Sequence, residues 1–192
     1  MSRIPIDPFA QLAEFTKDLP GGGVMALPSY LFTPELLKAL AQGDPTERIF
    51  ELRGRASARD LVIETVGAIE VLVTEVLRCA VHDEARDRLF SKQGKIRDFE
   101  VKLELAFGFK IVSKTELDVL HLLRQIRNQF AHDPNMREFE HDRKVIGWTH
   151  SIPPDHLFPL PFPAVGLRDR FVGAVFQKTT RLQQRLSEFG DK

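Results

Sequence analysis

The stretch ARDLVIETVGAIEVLVTEVLRCAV, residues 58–81, decides the fold. Val62, Val66, Ile69, Val73 and Val76 recur every three or four residues, the spacing of one face of an α-helix. Leu61, Ile63, Leu72 and Leu77 widen that face over much of the circumference, as in a helix enclosed by others. β-Branched residues also suit strands, but a strand runs to roughly 5–6 residues, and this stretch is several times longer without a breaker. The reading is a long central helix.

Working outward in both directions gives more helices. After Gly94, the segment 96–107 places Phe99, Leu103, Ala106 and Phe107 on one side and reads as a further core helix; residues 83–90 continue the helical pattern before it. Ser113-Lys114-Thr115-Glu116 is a capping box, in which serine and glutamate satisfy each other's backbone donors. The helix it starts carries Leu117, Leu120, Leu123 and Ile126, widened by Leu122 and Phe130, and stops at Asp133-Pro134. Residues 152–165 hold Pro153, Pro154, Pro159, Pro161 and Pro163, which predicts an extended arm anchored by Leu157, Phe158, Leu160 and Phe162. Residues 167–189 read as a C-terminal helix with Phe171, Val175, Leu182 and Leu186 inward and Arg168, Arg170, Lys178, Arg181 and Arg185 on a solvated face. Upstream, Asp7-Pro8 and Thr33-Pro34 are cap-plus-proline starts of two short helices, ended by Pro20-Gly21-Gly22-Gly23 and Gly43-Asp44-Pro45. The expected fold is all-α: an N-terminal helical arm or cover over 1–55, then a helical bundle over 56–192 with a proline-rich arm and a C-terminal helix, one continuous domain.

Composition bounds the function classes. Hydrophobic residues make up 43% and charged residues 28%, enough for a real core and far from a disordered chain. Lys and Arg total 27 against 27 Asp and Glu, so no global field draws the protein to a phosphate backbone or an anionic membrane, and nucleic-acid binding must be local. The single Cys79 forms no internal disulfide and reads as an inert core thiol in a reducing compartment. No apolar run reaches the roughly 20 residues of a membrane span, and the start lacks the pattern of a secretory signal, which makes the cytoplasm the expected location. No glycine-rich phosphate loop and no zinc-like Cys/His spacing occurs, so neither a cofactor nor a metal is expected.

One run carries chemistry: Arg127-Asn128-Gln129-Phe130-Ala131-His132, on the last turns of the capped helix. Asn128 and His132, four apart, share a side; Arg127 and His132 are separated by about 500° of rotation and share a broad one. An arginine that forks onto phosphate, an amide that orients a neighbour and an imidazole that moves protons near neutrality form a set able to cleave RNA through its own ribose hydroxyl. The ordinary alternative is that Arg and His at a helix end serve its terminal carbonyls and the negative end of its dipole. Glu70, with Glu64 and Glu75 on the central helix, is the carboxylate candidate to orient His132 or pair with Arg127, against the plain reading of a partly exposed helix carboxylate. His121 could line the same groove, and Trp148 reads as an anchor.

Lys102-Leu103, Ala106-Phe107-Gly108-Phe109 and the helix ending Ile126 to Asp133, together with Ala68-Ile69-Glu70-Val71-Leu72 and the proline-rich arm, resemble the mannitol operon repressor (MltR) family over roughly residues 58–163. That resemblance implies an all-helical regulator of sugar or sugar-alcohol metabolism. No recognition helix with exposed basic and amide side chains is evident, so such a regulator would act through a protein partner and not by reading DNA directly. The Arg-Asn-x-x-x-His run is similar to the HEPN signature. This shorter resemblance implies a homodimer with two copies of the motif face to face. It also implies a metal-independent endoribonuclease, or an RNA-binding protein, with Arg127 and His132 as the active pair and Asn128 in support. The longer resemblance ranks the non-enzymatic regulator first, the RNA reading second and an interaction module third.

Overall fold

The computed structural model describes residues 56–91, 93–157 and 166–190, all within one compact unit spanning Pro45–Lys192. The two short N-terminal helices and the middle of the proline-rich arm expected from sequence lie outside the described residues. Six α-helices and no strand occur among the described residues: α1 (Ala58–Ala80), α2 (Asp83–Phe90), α3 (Phe99–Gly108), α4 (Lys114–His132), α5 (Arg143–Ser151) and α6 (Leu167–Gly190). Short 3-10 turns at Phe139–His141 and Pro154–His156 complete the order. No helix among the described residues is long and apolar enough to cross a membrane.

α1 is the central element the sequence predicts. Ser57 accepts from the Asp60 N–H at its start, and Leu61, Val62, Val66, Ile69, Val73, Val76 and Leu77 are all buried along it. Thr65, also buried, turns its hydroxyl back onto the Leu61 carbonyl at 2.7 Å, so its polarity is met within the helix. Each fully buried aliphatic side chain contributes about 1.5–3 kcal/mol. α6 packs against α1 with an unbroken buried run from Phe171 to Phe176.

Side-chain contacts between elements fix the directions. Arg59, in the first turn of α1, reaches the carbonyls at the end of α4, so these two helices are antiparallel. Arg168, at the start of α6, donates to the Ala56 carbonyl just before α1 at 2.6 Å, and Arg181 and Arg185 meet Glu116 at the start of α4. α6 therefore runs parallel to α1 and antiparallel to α4. α3 is antiparallel to α4, with Glu104 opposite His121 and Glu100 opposite Arg124. The starts of α1, α3 and α6 are thus gathered at the end of the bundle where α4 finishes.

Several local expectations change. The periodicity assigns no element to 135–151, yet α5 forms there, started by Asp142, whose carboxylate accepts from the Lys144 and Val145 N–H groups. Its end is held from a distance by Arg170, which donates to the carbonyls of Thr149, His150 and Ile152. The arm expected to be extended from residue 152 begins with a 3-10 turn at Pro154–His156. Phe107, expected inward, is exposed on α3 beside Phe109, and Cys79 is half-exposed and not a core thiol. The basic face of α6 is not simply solvated: Lys178 is 2% exposed, and Arg170, Arg181 and Arg185 are all engaged.

α3 ends in an arrangement the sequence disguises. Ile111 N–H donates to Ala106 O and Lys110 N–H to Phe107 O, both at 2.8 Å, the paired bonds of a Schellman cap. The left-handed position, usually glycine, is taken by Lys110 with φ 60°.

Candidate functional site

The end of α4 is built by three supports. Phe130, on its last full turn, packs on Phe139 with ring centroids 5.2 Å apart, and Phe139 packs on Phe171 of α6 at the same separation. All three rings are fully buried, so the 3-10 turn carrying Phe139 is held beneath α4 and fixes the chain that leaves it. Gln129 adds a hydrogen bond to Asp142 at 3.2 Å, linking the same end to the start of α5. Arg59 provides the third support. Its guanidinium donates to Ala131 O and Asp133 O, both at 3.0 Å, gripping the two carbonyls that flank His132. Terminal carbonyls lack intrahelical partners, and a cation there also meets the negative end of the helix dipole. Arg59 escapes sequence reasoning because the contact spans more than 70 residues; its sole trace is an arginine in the first turn of a helix, where acidic residues are favoured.

On this frame the Arg127-Asn128-His132 run is brought together at one helix end. Arg127 is half-buried and donates from Nη1 to Asn128 Oδ1 at 3.1 Å. Among the described residues this is its one hydrogen bond, and a guanidinium has five N–H donors. Asn128 is half-buried, and the His132 ring is exposed with no hydrogen-bond partner among the described residues.

The pairing along α4 explains why Arg127 stands apart. Basic groups occur at 121, 124 and 127, and α3 opposes them with acids at intervals of four. His121 Nε2 lies 3.0 Å from Glu104, and Arg124 Nη2 lies 3.0 Å from Glu100. The next rung, four residues before Glu100, is Ile96, which precedes α3 and has no charge. Arg127 is therefore the cation at the end of the ladder, one step beyond the Arg124–Glu100 pair; the next carboxylate of α3, Asp98, is spent capping the Glu100 N–H.

The structure does not bring Glu70 to this site. It accepts from Lys102 Nζ at 2.8 Å, and eleven residues of helix, about 16 Å, separate it from Arg59, which touches the α4 terminus. Its role is to neutralise Lys102, which is 9% exposed. Glu75 pairs with Arg78 at 3.8 Å, and His121 is engaged by Glu104, so neither joins the site. Trp148 is half-buried on α5. No group of three or more His, Cys, Asp or Glu residues placed to hold a metal ion occurs among the described residues.

A second cluster of charge sits at the opposite end of α4. Glu116, 3% exposed, accepts from the Ser113 N–H at 2.8 Å, from Arg181 at 3.1 Å and from Arg185 at 3.0 and 2.9 Å. Burial alone pushes its carboxyl up, but the Ser113 hydrogen bond, then Arg185 and Arg181, outweigh that and hold it down at about 2. Sequence identifies Glu116 as a capping residue; its pairing with α6 is visible only in three dimensions. Comparison with models of known families, with curated proteins and with solved structures finds no match for this chain, so the resemblances to the mannitol operon repressor and HEPN families rest on the quoted residues alone.

Proposed function

We propose that the end of α4 bearing Arg127, Asn128 and His132 is an RNA phosphate-binding site, and that two copies of the chain meeting there cleave RNA without a metal. The observation carrying this reading is that Arg127 has only Asn128 as partner and the imidazole of His132 is exposed and unpartnered, among the described residues, while its neighbours His121 and Arg124 are paired. A buried, saturated network would instead favour a purely structural role. The starts of α1, α3 and α6 at this end add positive helix-dipole ends, partly offset by Asp60, Glu100 and Asp169 in their first turns.

In this reading the guanidinium of Arg127, oriented by Asn128, forks onto a phosphate and stabilises the charge that develops as the ribose 2′-hydroxyl attacks the phosphorus. One His132, as neutral imidazole, takes the hydroxyl proton as the 2′-oxygen bonds to phosphorus, and the bond from phosphorus to the 5′-oxygen breaks as that oxygen receives a proton from the second copy's His132, present as imidazolium. A single copy supplies one such ring, so one copy binds and a pair cleaves. The test is incubation of a mixed single-stranded RNA pool with the protein in chelator, beside folded Arg127→Ala and His132→Ala variants. Cleavage lost in both variants supports the ribonuclease; binding lost in Arg127→Ala without any cleavage supports an RNA-binding protein. No binding and no cleavage by the parent overturns the reading.

A second reading, a regulator of sugar or sugar-alcohol metabolism working through a protein partner, is favoured by a different observation. Val71, Val101, Phe107 and Phe109 are 39–60% exposed on α1, α3 and the turn after α3. Two phenylalanines in water two residues apart are a natural contact for another protein. Charged substitution of Phe107 and Phe109 that abolishes co-purification of a transcription component would support it.

A further inference from the structure

His156 and Lys178 form a buried pair that plays no part in the site above. His156 is 4% exposed on the Pro154–His156 turn, Lys178 is 2% exposed on α6, and Lys178 Nζ lies 2.6 Å from His156 Nδ1. An ammonium carries only donors, so Nδ1 must be the acceptor and the ring proton must sit on Nε2. That nitrogen faces the Asp155 carboxylate at 3.7 Å. The same ammonium donates to Gln177 Oε1 at 2.9 Å, and Gln177 Nε2 donates to the Asp155 carbonyl at 2.8 Å. The turn is thus fastened to one stretch of α6 by two bonds, of which the one between Lys178 and His156 requires a neutral imidazole and the one between Gln177 and the Asp155 carbonyl does not.

We propose that the Pro154–His156 turn is a pH-operated clasp, closed on α6 while His156 is neutral and released when its imidazole takes a second proton. Protonation converts Nδ1 from acceptor to donor, so that two donors and two positive charges face each other in a buried space. The charges around the ring come from three elements: Lys178, Arg181 and Arg185 on α6, Glu116 on α4, and Asp155 on the turn itself. Glu116 is already engaged by Arg181 and Arg185, which leaves Asp155 to oppose Lys178. The remedy left to the protein is to move the ring into water.

The direction follows from linkage. Burial, then the Lys178 charge, lower the imidazole from its ordinary 6.5 in the closed clasp, whereas a released ring regains an ordinary value. The closed form binds the imidazole's second proton less well, so the His156 contribution to closure is complete above pH 6.5 and weakens progressively below it, while Lys178, which burial and then the Arg181 charge bring down to about 8, keeps its charge as pH falls through that window. Glu116, held at about 2, stays ionised throughout this window and does not confuse the response. Arg170, which grips the Ile152 carbonyl, holds the chain just before the turn.

Amide hydrogen exchange of the full-length protein at pH 7.5 and 4.5, corrected for the intrinsic chemical rates, tests this. In the parent, protection at His156 and Leu157 is expected to fall at least tenfold at pH 4.5 while α1 keeps its protection. In His156→Asn, whose amide oxygen supplies a similarly placed acceptor that does not titrate, protection at 156–157 is expected to be the same at both values. Unchanged protection in the parent, or equal loss in parent and His156→Asn, overturns the clasp. If His156→Asn does not fold, the histidine ring signals of the parent decide: the midpoint at which protection is lost must coincide with the titration of His156, and a midpoint elsewhere overturns it.

Discussion

Replacement of Glu116 by glutamine tests how α6 is held to the motif helix. Glutamine keeps the size and the hydrogen-bonding reach of the side chain, so it still accepts from the Ser113 N–H and the cap survives. What it removes is the charge facing Arg181 and Arg185. The carboxyl is held at about 2 against an ordinary 4.5, and at 1.36 kcal/mol for each unit this corresponds to about 3 kcal/mol of stability at neutral pH. The carboxylate is almost completely buried, so solvent screening takes little from this figure, while the two arginines remain partly exposed and can turn to water when their partner is lost. Because the folded-state value is depressed, the contribution is complete above pH 4.5 and disappears as pH falls through 2. By pH 3 about 1.4 kcal/mol should remain. Urea unfolding of parent and Glu116→Gln at pH 7 and pH 3, with m-values compared, measures both numbers. A difference below about 1 kcal/mol at pH 7, or one that does not shrink at pH 3, would refute the argument that this ion triad anchors α6 to α4.

Four further outcomes are expected. Arg59→Met removes two charge-assisted hydrogen bonds from the carbonyls around His132 and should cost about 1–3 kcal/mol, with faster amide exchange at His132 and Asp133 than in the rest of α4. Lys110→Gly relieves a left-handed backbone at the end of α3 and should raise stability by about 1 kcal/mol, read as a higher urea midpoint with an unchanged m-value. Gly94→Ala should destabilise by more than about 1 kcal/mol, because a Cβ there would stand 2.4 Å from the Leu89 carbonyl oxygen, a backbone atom that cannot turn aside. Phe139→Ala opens the space between Phe130 and Phe171 and should cost about 3–5 kcal/mol in thermal or chemical unfolding.

Local rules suffice for much of this protein. The α1 stripe, the Ser113–Glu116 capping box, the stop at Asp133-Pro134 and the position of Arg127, Asn128 and His132 at a helix end all depend on residues within a turn or two of each other, and each was legible from spacing. The tertiary structure alone decided which charges meet. Nothing local distinguishes Glu70, which neutralises Lys102, from a carboxylate aimed at His132; the choice is made by where α3 crosses α1. The same holds for Arg59 on the end of α4, Arg170 on the end of α5, and Lys178 against His156, whose partners are 72, 21 and 22 residues away. Arg170 and Lys178 read as a solvated face and Arg59 drew no reading, because periodicity reports which side of a helix is apolar and is silent on what a long cationic side chain reaches. The long helices were legible in the sequence, whereas α5 and the separation of Arg127 and His132 from the paired charges around them were decided by tertiary structure, the latter by where α3 begins.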